Sequence, residues 1–291
     1  MRLKPDWDVE GLDWPRRKTS RFVREGGLDW HVQIAGSGPG LLLIHGTGAA
    51  THSWRDLAPL LITKFKVVSF DLPGHGFTEL PRRGQFTLPQ MASAIADLLG
   101  ALNVKPDIVA GHSAGAAVAL RMVLNGAITP HTIFSFNGAL MPFPGWAAIA
   151  FPTLAKLLFL NPFAAPFLAR RARDNDSIAR LIKGTGSRLD PRGVDLYARL
   201  FRTQRHITAT VGMMANWDLS SLKRDLPKLQ IPLVLVSADH DRAVVAEVAR
   251  DVNALVPKSR IIPVRGYGHL AHEEAPAIFA SIIRDVALAP C

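Results

Sequence analysis

The chain of 291 residues has one cysteine, Cys291. A single thiol excludes an intramolecular disulfide framework and a metal cluster built from several cysteines. The first residues also lack the apolar run of a secretory signal, so we expect a cytoplasmic protein. Apolar residues make up 48% and charged residues 20% of the chain, a composition that argues against a disordered or fibrous protein.

Positive charge exceeds negative charge, and the formal net charge is +10. Such a balance suits an anionic partner, which could be a nucleic acid, a phospholipid surface or an acidic small molecule. Between residues 170 and 205, ten Arg and Lys stand against four Asp. Nucleic-acid binding has no support beyond this net charge, so we expect no nucleic-acid partner.

Short apolar runs alternate with longer helical stretches along the chain. This alternation is typical of an α/β protein whose mostly parallel, twisted sheet is flanked by helices. The predicted strands are an antiparallel edge strand at 28–34, followed by 41–44, 66–70, 107–110, 131–136, 233–236 and 260–262. The predicted helices are 54–62, 88–102, 114–125, 244–255 and 275–286.

The alternation stops between residues 139 and 226, which we interpret as a helical cap (lid) inserted after the sixth strand. Residues 1–138 and 227–291 then form the core. The first part of the insertion, 139–169, has one charged residue, Lys156, and five prolines. A bilayer span needs about 20 apolar residues in an intact helix, and prolines at this density break the run. No transmembrane helix is therefore predicted.

The motif Gly111-His112-Ser113-Ala114-Gly115 lies between a predicted strand and a predicted helix. In this context G-x-S-x-G forms a strained turn that exposes the serine hydroxyl at the carboxyl edge of the sheet. The glycines allow the strand and helix to approach closely. The sequence therefore predicts Ser113 as a nucleophile, the alternative being a simple packing turn.

A serine nucleophile needs a base within hydrogen-bond reach and an acid that orients the base. In this architecture the acid and then the histidine follow the serine, each after a late strand. Asp241 and His269 meet this order. Asp239 and His272 are the alternatives; Asp241 lies farther into its loop, and Gly268 gives His269 the freedom to turn into the cleft.

The segment His45-Gly46-Thr47-Gly48 follows the strand at 41–44. A glycine-rich turn at this place supplies one backbone N–H of an oxyanion hole, and the residue after the nucleophile supplies the second. The expected donors are Thr47 and Ala114. We expect structural roles for Asp71 and His75 in the next turn.

With these motifs in this order, the chain resembles the α/β-hydrolase superfamily over nearly its whole length. The resemblance implies the α/β-hydrolase fold and a Ser-His-Asp triad. Serine at position 113 disfavours the dehalogenase and epoxide-hydrolase branches, which have aspartate there. No cofactor and no metal site are expected.

More narrowly, the chain is similar to the magnesium-chelatase accessory α/β hydrolases of bacteriochlorophyll biosynthesis. The segments that carry this resemblance are 13–15, 20–23, 27–33, 43–57 and 111–117. It implies a role around magnesium insertion into protoporphyrin IX, with chelatase subunits as partners and an undefined substrate. The triad is then either active on an unknown ester or retained in a binding role.

The insertion offers residues that could bind a hydrophobic small molecule such as a tetrapyrrole, or could rest on the inner membrane. Aromatic and apolar side chains would cover a flat ring, and arginines would pair with propionates or lipid phosphates. The candidates are Met141, Phe143, Trp146, Phe151, Arg170 and Arg171. The alternative is that the apolar residues pack the cap onto the core and the arginines face solvent.

Overall fold

An eight-stranded sheet is the centre of the computed structural model, which describes residues 3–81, 86–142, 154, 156–161, 163–171 and 174–287. The strands lie in the order β1-β2-β4-β3-β5-β6-β7-β8. The β1–β2 and β2–β4 pairs are antiparallel and the other pairs are parallel. Their bounds are β1 (Ser20–Glu25), β2 (Leu28–Ala35), β3 (Gly40–Ile44), β4 (Lys66–Phe70), β5 (Ile108–His112), β6 (Thr132–Phe136), β7 (Leu233–Ala238) and β8 (Ser259–Val264).

Both faces of the sheet are buried, which explains the continuously apolar strands. In β3, Leu41 and Leu43 belong to one apolar core, whereas Leu42 and Ile44 belong to the core on the opposite face. All four side chains are fully buried. The predicted mostly parallel sheet is confirmed.

Helices cover the sheet and fill the connection between β6 and β7. The described helices are α1 (Ala58–Leu61), α2 (Leu88–Ala101), α3 (Ala114–Leu124), α4 (Ala164–Arg171), α5 (Asn175–Gly184), α6 (Pro191–Phe201), α7 (Gln204–Ala215), α8 (Ser220–Asp225), α9 (Ala246–Leu255), α10 (Ala271–Glu274) and α11 (Pro276–Ala287). Helices α4 to α8 follow the sixth strand, as predicted. The boundaries of the cap at 139 and 226 stay a prediction.

Three expectations about local structure are wrong. Strand β1 was not expected, because three of its six residues are charged and its side chains are only partly buried or exposed. It takes the sheet edge that we expected for residues 28–34, so β2 is an inner strand between β1 and β4. The helix predicted over 54–62 is a 3₁₀ turn, Thr51–Trp54, followed by the short helix α1. Pro59 at the start of α1 has no N–H to donate to an upstream carbonyl, so an α-helix cannot run through this position without a break.

The carboxyl edge of the sheet brings together the turns singled out from the sequence. The chain leaves β3 at His45, β4 at Asp71 and β5 at Ser113, and the loops after β7 and β8 carry Asp241 and His269. Neighbouring parallel strands end at the same edge. None of the described helices has both the length and the apolar character needed to cross a bilayer.

Candidate active site

Ser113 occupies a strained turn between β5 and α3. Its backbone has φ 52° and ψ −119°, a conformation that costs a non-glycine residue of order 1–3 kcal/mol. The turn needs a small neighbour, because a Cβ on Gly115 would lie 2.2 Å from the carbonyl oxygen of Ile44. The Ser113 side chain is partly exposed.

Hydrogen bonds from the end of β6 hold this turn in place. The amide of Ser113 donates to the carbonyl of Phe136 at 3.0 Å, and the carbonyl of Ser113 accepts from Ala116 at 3.1 Å and from Ala139 at 3.1 Å. The strain is thus held by bonds on both sides of the serine, as it must be for a strained conformation to persist.

His269 and Asp241 form a buried pair at the same edge. The imidazole Nδ1 of His269 donates to Oδ2 of Asp241 at 2.8 Å. The other carboxylate oxygen accepts from the amides of Ala243 at 2.7 Å and Val244 at 2.8 Å. These backbone donors fix the carboxylate, so its second oxygen can orient the imidazole ring.

Asn137 is a further hydrogen-bond partner of the Asp241 carboxylate, and the sequence analysis did not predict it. Its side-chain Nδ2 donates to Asp241 Oδ2 at 2.6 Å and to the carbonyl of Gly268 at 3.4 Å. Its own φ is 46°, in the left-handed region that asparagine tolerates. A polar residue directly after the buried strand β6 and before a glycine was the available signal.

Asp239 and His272, the alternative acid and base considered from the sequence, have other hydrogen-bond partners. Asp239 is exposed, and its Oδ1 accepts from the amide of Gly266 at 2.7 Å. His272 is buried, and its Nε2 lies 2.9 Å from Oγ of Ser53. The structure therefore places His269, and not His272, against Asp241.

The His269 loop and the Ser113 turn meet through His112. His112 Nε2 donates to the carbonyl of His269 at 2.9 Å, and the two rings lie 4.7 Å apart between centroids. Burial lowers the pKa of His112 well below its usual range, so this ring stays neutral. The hydroxyl of Ser113 makes no hydrogen bond within the described part of the chain. Catalytic hydrogen bonds often tighten only when substrate binds.

The backbone amides of Thr47 and Ala114, the expected oxyanion donors, have no acceptor among the described residues. The peptide that carries the Thr47 amide is held from its other side. Gly46 O accepts from His45 Nδ1 at 2.8 Å and from the Ala49 amide at 3.1 Å. Because a trans peptide directs its N–H opposite to its C=O, these bonds aim the Thr47 amide away from them.

Helix α7 stabilises the end of the same turn, at Gly48, through His206. The ring Nε2 donates to the carbonyl of Gly48 at 3.0 Å, while Nδ1 accepts from the amide of Gly76 at 3.1 Å. Only neutral imidazole can make both bonds. Burial lowers the pKa of His206 to about 4, which keeps it neutral. Met213 on the same helix accepts from the Thr47 hydroxyl at 3.3 Å.

Asp71 is a buried centre of hydrogen bonding away from Ser113. Its carboxylate accepts from the amides of Thr51 at 2.6 Å and Phe77 at 2.9 Å, and from His31 Nδ1 at 2.8 Å. Burial acts to raise the pKa of Asp71, but His31 and the backbone donors outweigh it and hold the pKa well below its ordinary value. This arrangement fits the structural role expected for Asp71.

The candidate ligand-binding residues of the insertion are only partly described. Met141 is half-buried and packs against the core, and Arg170 is exposed on helix α4. Arg171 ends that helix. Phe143, Trp146 and Phe151 lie outside the described residues.

Comparison with known proteins settles the family. Residues 41–282 match the model of the alpha/beta hydrolase family. The chain belongs to the α/β-hydrolase family. It is 38% identical to the "Magnesium-chelatase 30 kDa subunit" of Rhodobacter capsulatus, over 94% of this chain and 96% of that protein. The predicted resemblance is thereby confirmed.

Other proteins are similar at lower identity. A pyrrolizixenacetamide deacetylase of Xenorhabdus hominickii is 26% identical over 91% of this chain and 97% of its own length. An alpha/beta hydrolase fold protein of Burkholderia ambifaria superposes with a TM-score of 0.77 at 20% identity, covering 92% of this chain and 97% of that one. The predicted α/β-hydrolase fold is confirmed.

Proposed function

We propose that this α/β hydrolase is a serine hydrolase with Ser113 as nucleophile, His269 as base and Asp241 as the acid that orients the base. The observation that carries the proposal is the 2.8 Å hydrogen bond from His269 Nδ1 to Asp241 at the edge that also carries the strained Ser113 turn. Hydrogen-bonded pairs in this architecture activate serine hydroxyls for acyl transfer.

In the proposed reaction, Ser113 Oγ attacks the carbonyl carbon of an ester or other acyl compound while His269 Nε2 takes the hydroxyl proton. The carbonyl π electrons move to oxygen, and the amides of Thr47 and Ala114 stabilise the oxyanion. The proton then passes to the leaving alcohol or amine as the bond to it breaks. Water, activated by the same imidazole, hydrolyses the acyl-enzyme and restores Ser113.

A fluorophosphonate probe tests this proposal directly. We expect one labelled serine, Ser113, identified by mass spectrometry of the digested protein. Ser113→Ala should lower labelling by at least about 1,000-fold while the thermal unfolding midpoint stays near that of the wild type. Folded wild-type protein that resists the probe would refute the triad.

A second candidate function is supported by the similarity to the magnesium-chelatase subunit. We propose a role near magnesium insertion into protoporphyrin IX, with a tetrapyrrole as ligand and chelatase subunits as partners. The runner-up to catalysis is then a non-catalytic scaffold on a hydrolase fold. It predicts that protoporphyrin IX binding shifts the Soret band equally in wild type and Ser113→Ala.

Titration of both proteins with protoporphyrin IX separates the two functions. Equal Soret shifts without probe labelling favour the scaffold. Labelling that protoporphyrin IX protects against favours a hydrolase with a tetrapyrrole-like substrate. Labelling without any Soret shift leaves hydrolysis of a different acyl compound and removes the tetrapyrrole.

We also propose peripheral contact with an anionic lipid surface. No Asp or Glu occurs between Asp107 and Asp174. In this stretch Leu157, Leu160 and Phe163 are 63%, 76% and 77% exposed. Exposed apolar side chains in a stretch of sequence whose charged residues are all positive suit the boundary between headgroups and acyl chains of anionic lipid.

One face of the helical residues 156–160 packs against the protein, and this contact leaves the opposite face exposed to solvent. Phe159 packs edge-on against Phe86 at 5.9 Å between ring centroids. Leu157, Leu160 and Lys156 are exposed on the remaining surface. The apolar side chains are therefore held outward by a packed aromatic contact on the same helix.

Flotation with vesicles tests this contact. We expect the protein to float with phosphatidylglycerol-containing vesicles and not with pure phosphatidylcholine, and Leu160→Glu with Phe163→Glu to abolish flotation. Leu12→Glu with Ile278→Glu adds the same two negative charges at exposed apolar positions outside the insertion and is the matched control. Protein that stays in solution with anionic vesicles would refute the contact.

A further inference from the structure

The turn Thr185–Ser187 lies between helices α5 and α6 and touches both loops of the proposed acid–base pair. The carbonyl of Thr185 accepts from the amide of His269 at 3.3 Å and from the amide of Arg242 at 3.1 Å. One residue of the helical insertion is thus bonded to the histidine itself and to the residue after Asp241.

Ser187 adds a third bond within the same turn. Its Oγ accepts from the amide of Leu270, the residue after His269, at 2.7 Å. Ser187 is completely buried, so water cannot replace this acceptor. A buried amide without an acceptor costs about 1–3 kcal/mol. The hydroxyl therefore fixes the backbone of the histidine loop.

The turn packs backbone to backbone against both loops. A Cβ on Gly186, whose φ is 89°, would lie 1.9 Å from the carbonyl oxygen of His240. A Cβ on Gly268 would lie 2.2 Å from the carbonyl carbon of Gly186. Such contacts leave no space for a side chain at Gly186 or Gly268. The backbone of the turn therefore separates the Asp241 loop from the His269 loop by the width of a single chain.

Glu274 ties the outer side of the turn to the histidine loop. Its Oε1 accepts from the amide of Gly268 at 3.1 Å, and its Oε2 accepts from the amide of Arg188 at 3.1 Å. One carboxylate in this way joins Gly268, the residue before His269, to Arg188, the residue after the turn.

We propose that the Thr185–Ser187 turn is a positioning element that holds Asp241 and His269 in register, so that the insertion is part of the catalytic apparatus. The inference rests on the proposed function. Asp241 and His269 lie on separate loops beyond the sheet, and their relative position depends on what fills the space between the loops. A misplacement of about 1 Å in a catalytic group can cost about 100-fold in rate.

Ser187→Ala in the full-length protein tests the proposal, with Ser177→Ala, at a half-buried position in the first turn of α5, as the matched control. We expect the maximal rate of fluorophosphonate inactivation to fall about tenfold, with the probe concentration at half-maximal rate unchanged. The low-field proton NMR signal of His269 Nδ1–H should broaden or disappear. Ser177→Ala should match the wild type in both readouts.

Glu274→Gln is the second variant. The amide keeps the shape of the side chain but leaves one of the two backbone donors without an acceptor, so we expect a smaller change of the same kind. It carries the test if Ser187→Ala does not fold. Wild-type rates and an unchanged proton signal in a folded variant would overturn the proposal and leave the turn with a packing role alone.

The NMR signal also separates this inference from the proposed function, because it needs no turnover. A wild-type protein that shows the signal but resists the probe would refute the hydrolase. Loss of that signal in Ser187→Ala would still support the positioning role.

Discussion

The described residues include two Ser–His–Asp arrangements, and only the one proposed as the active site has a serine in a strained turn. In the first, Ser20 Oγ lies 2.9 Å from His31 Nε2, and His31 Nδ1 lies 2.8 Å from Asp71. In the second, His269 Nδ1 lies 2.8 Å from Asp241, and Ser113 lies at the same sheet edge. By hydrogen-bond geometry alone, the first is the more complete triad.

The surroundings separate the two arrangements. The His31 side chain is 0% exposed, against 11% for His269, and it is packed between the rings of Trp7, Phe22 and Phe77. Ser20 has ordinary extended backbone, with φ −78° and ψ 142°. Ser113 instead combines a strained turn with neighbouring free amides. Backbone strain, exposure and free amides therefore distinguish the proposed nucleophile Ser113 from the structural serine Ser20.

The largest expected difference between the two arrangements is in rate. Asp241→Asn should lower the rate of fluorophosphonate labelling about 10,000-fold, because the amide favours the wrong imidazole tautomer. Asp71→Asn should leave the rate of the folded fraction within a few-fold of wild type. Equal losses in both variants would erase the distinction between catalytic and structural pairs.

The next difference is in the free energy of unfolding, for which we expect the larger loss at Asp71. Asp71→Asn should lower the free energy of unfolding by about 3 kcal/mol, because an anion that accepts from two buried amides and His31 is lost. Urea unfolding monitored by circular dichroism measures the change. A midpoint equal to that of the wild type would contradict the structural role of Asp71.

Local patterns explain how much of the site could be predicted from the sequence. The Ser113 turn is encoded within five residues, and chain order then points to Asp241 and His269. The strands β3 to β7 were predictable because burial on both faces requires continuous apolar runs. The edge strand β1 was not, since it lies half in solvent and its charged residues hide the pattern.

The supporting residues are much harder to predict, because their hydrogen bonds to the site form only in the folded chain. Asn137, Ser187 and His206 reach the site from a strand end, a turn of the insertion and a helix of the insertion. Their partners are 104, 83 and 158 positions away in sequence. The Ser20–His31–Asp71 arrangement likewise has no local motif that would have distinguished it from a triad.

A third effect, of similar size, concerns pH and the buried residue His206. The pKa of His206 in the folded protein is about 4, below its value of about 6.5 in an unfolded chain. The unfolded state therefore binds the proton first, and stability present above about pH 6.5 is lost as the pH falls toward 4. His206 alone accounts for about 3 kcal/mol over this window.

His206→Gln is the variant that tests this assignment. Its free energy of unfolding should depend less on pH than that of the wild type between about pH 6.5 and 4. Urea unfolding at several pH values gives both curves. Parallel curves would show that the pKa of His206 is the same in the folded and unfolded states. The hydrogen bonds that neutral His206 makes to Gly48 and Gly76 would then not be what stabilises the turn at residues 45–48.

The smallest expected effect belongs to Ser20, and it decides whether the first arrangement is only structural. Ser20→Ala removes the hydrogen bond between Ser20 and His31. It also removes one acceptor of Gln33 Nε2, which donates to Ser20 Oγ at 3.1 Å and to the carbonyl of Pro15 at 2.8 Å. Since Gln33 keeps an acceptor, the free energy of unfolding should fall by only about 1 kcal/mol. Probe labelling should be unchanged, because Ser20 has neither the strained turn nor the free amides of Ser113. Labelling of Ser20 in the Ser113→Ala protein would mean that a hydrogen-bonded Ser–His–Asp row is sufficient for reactivity in this fold.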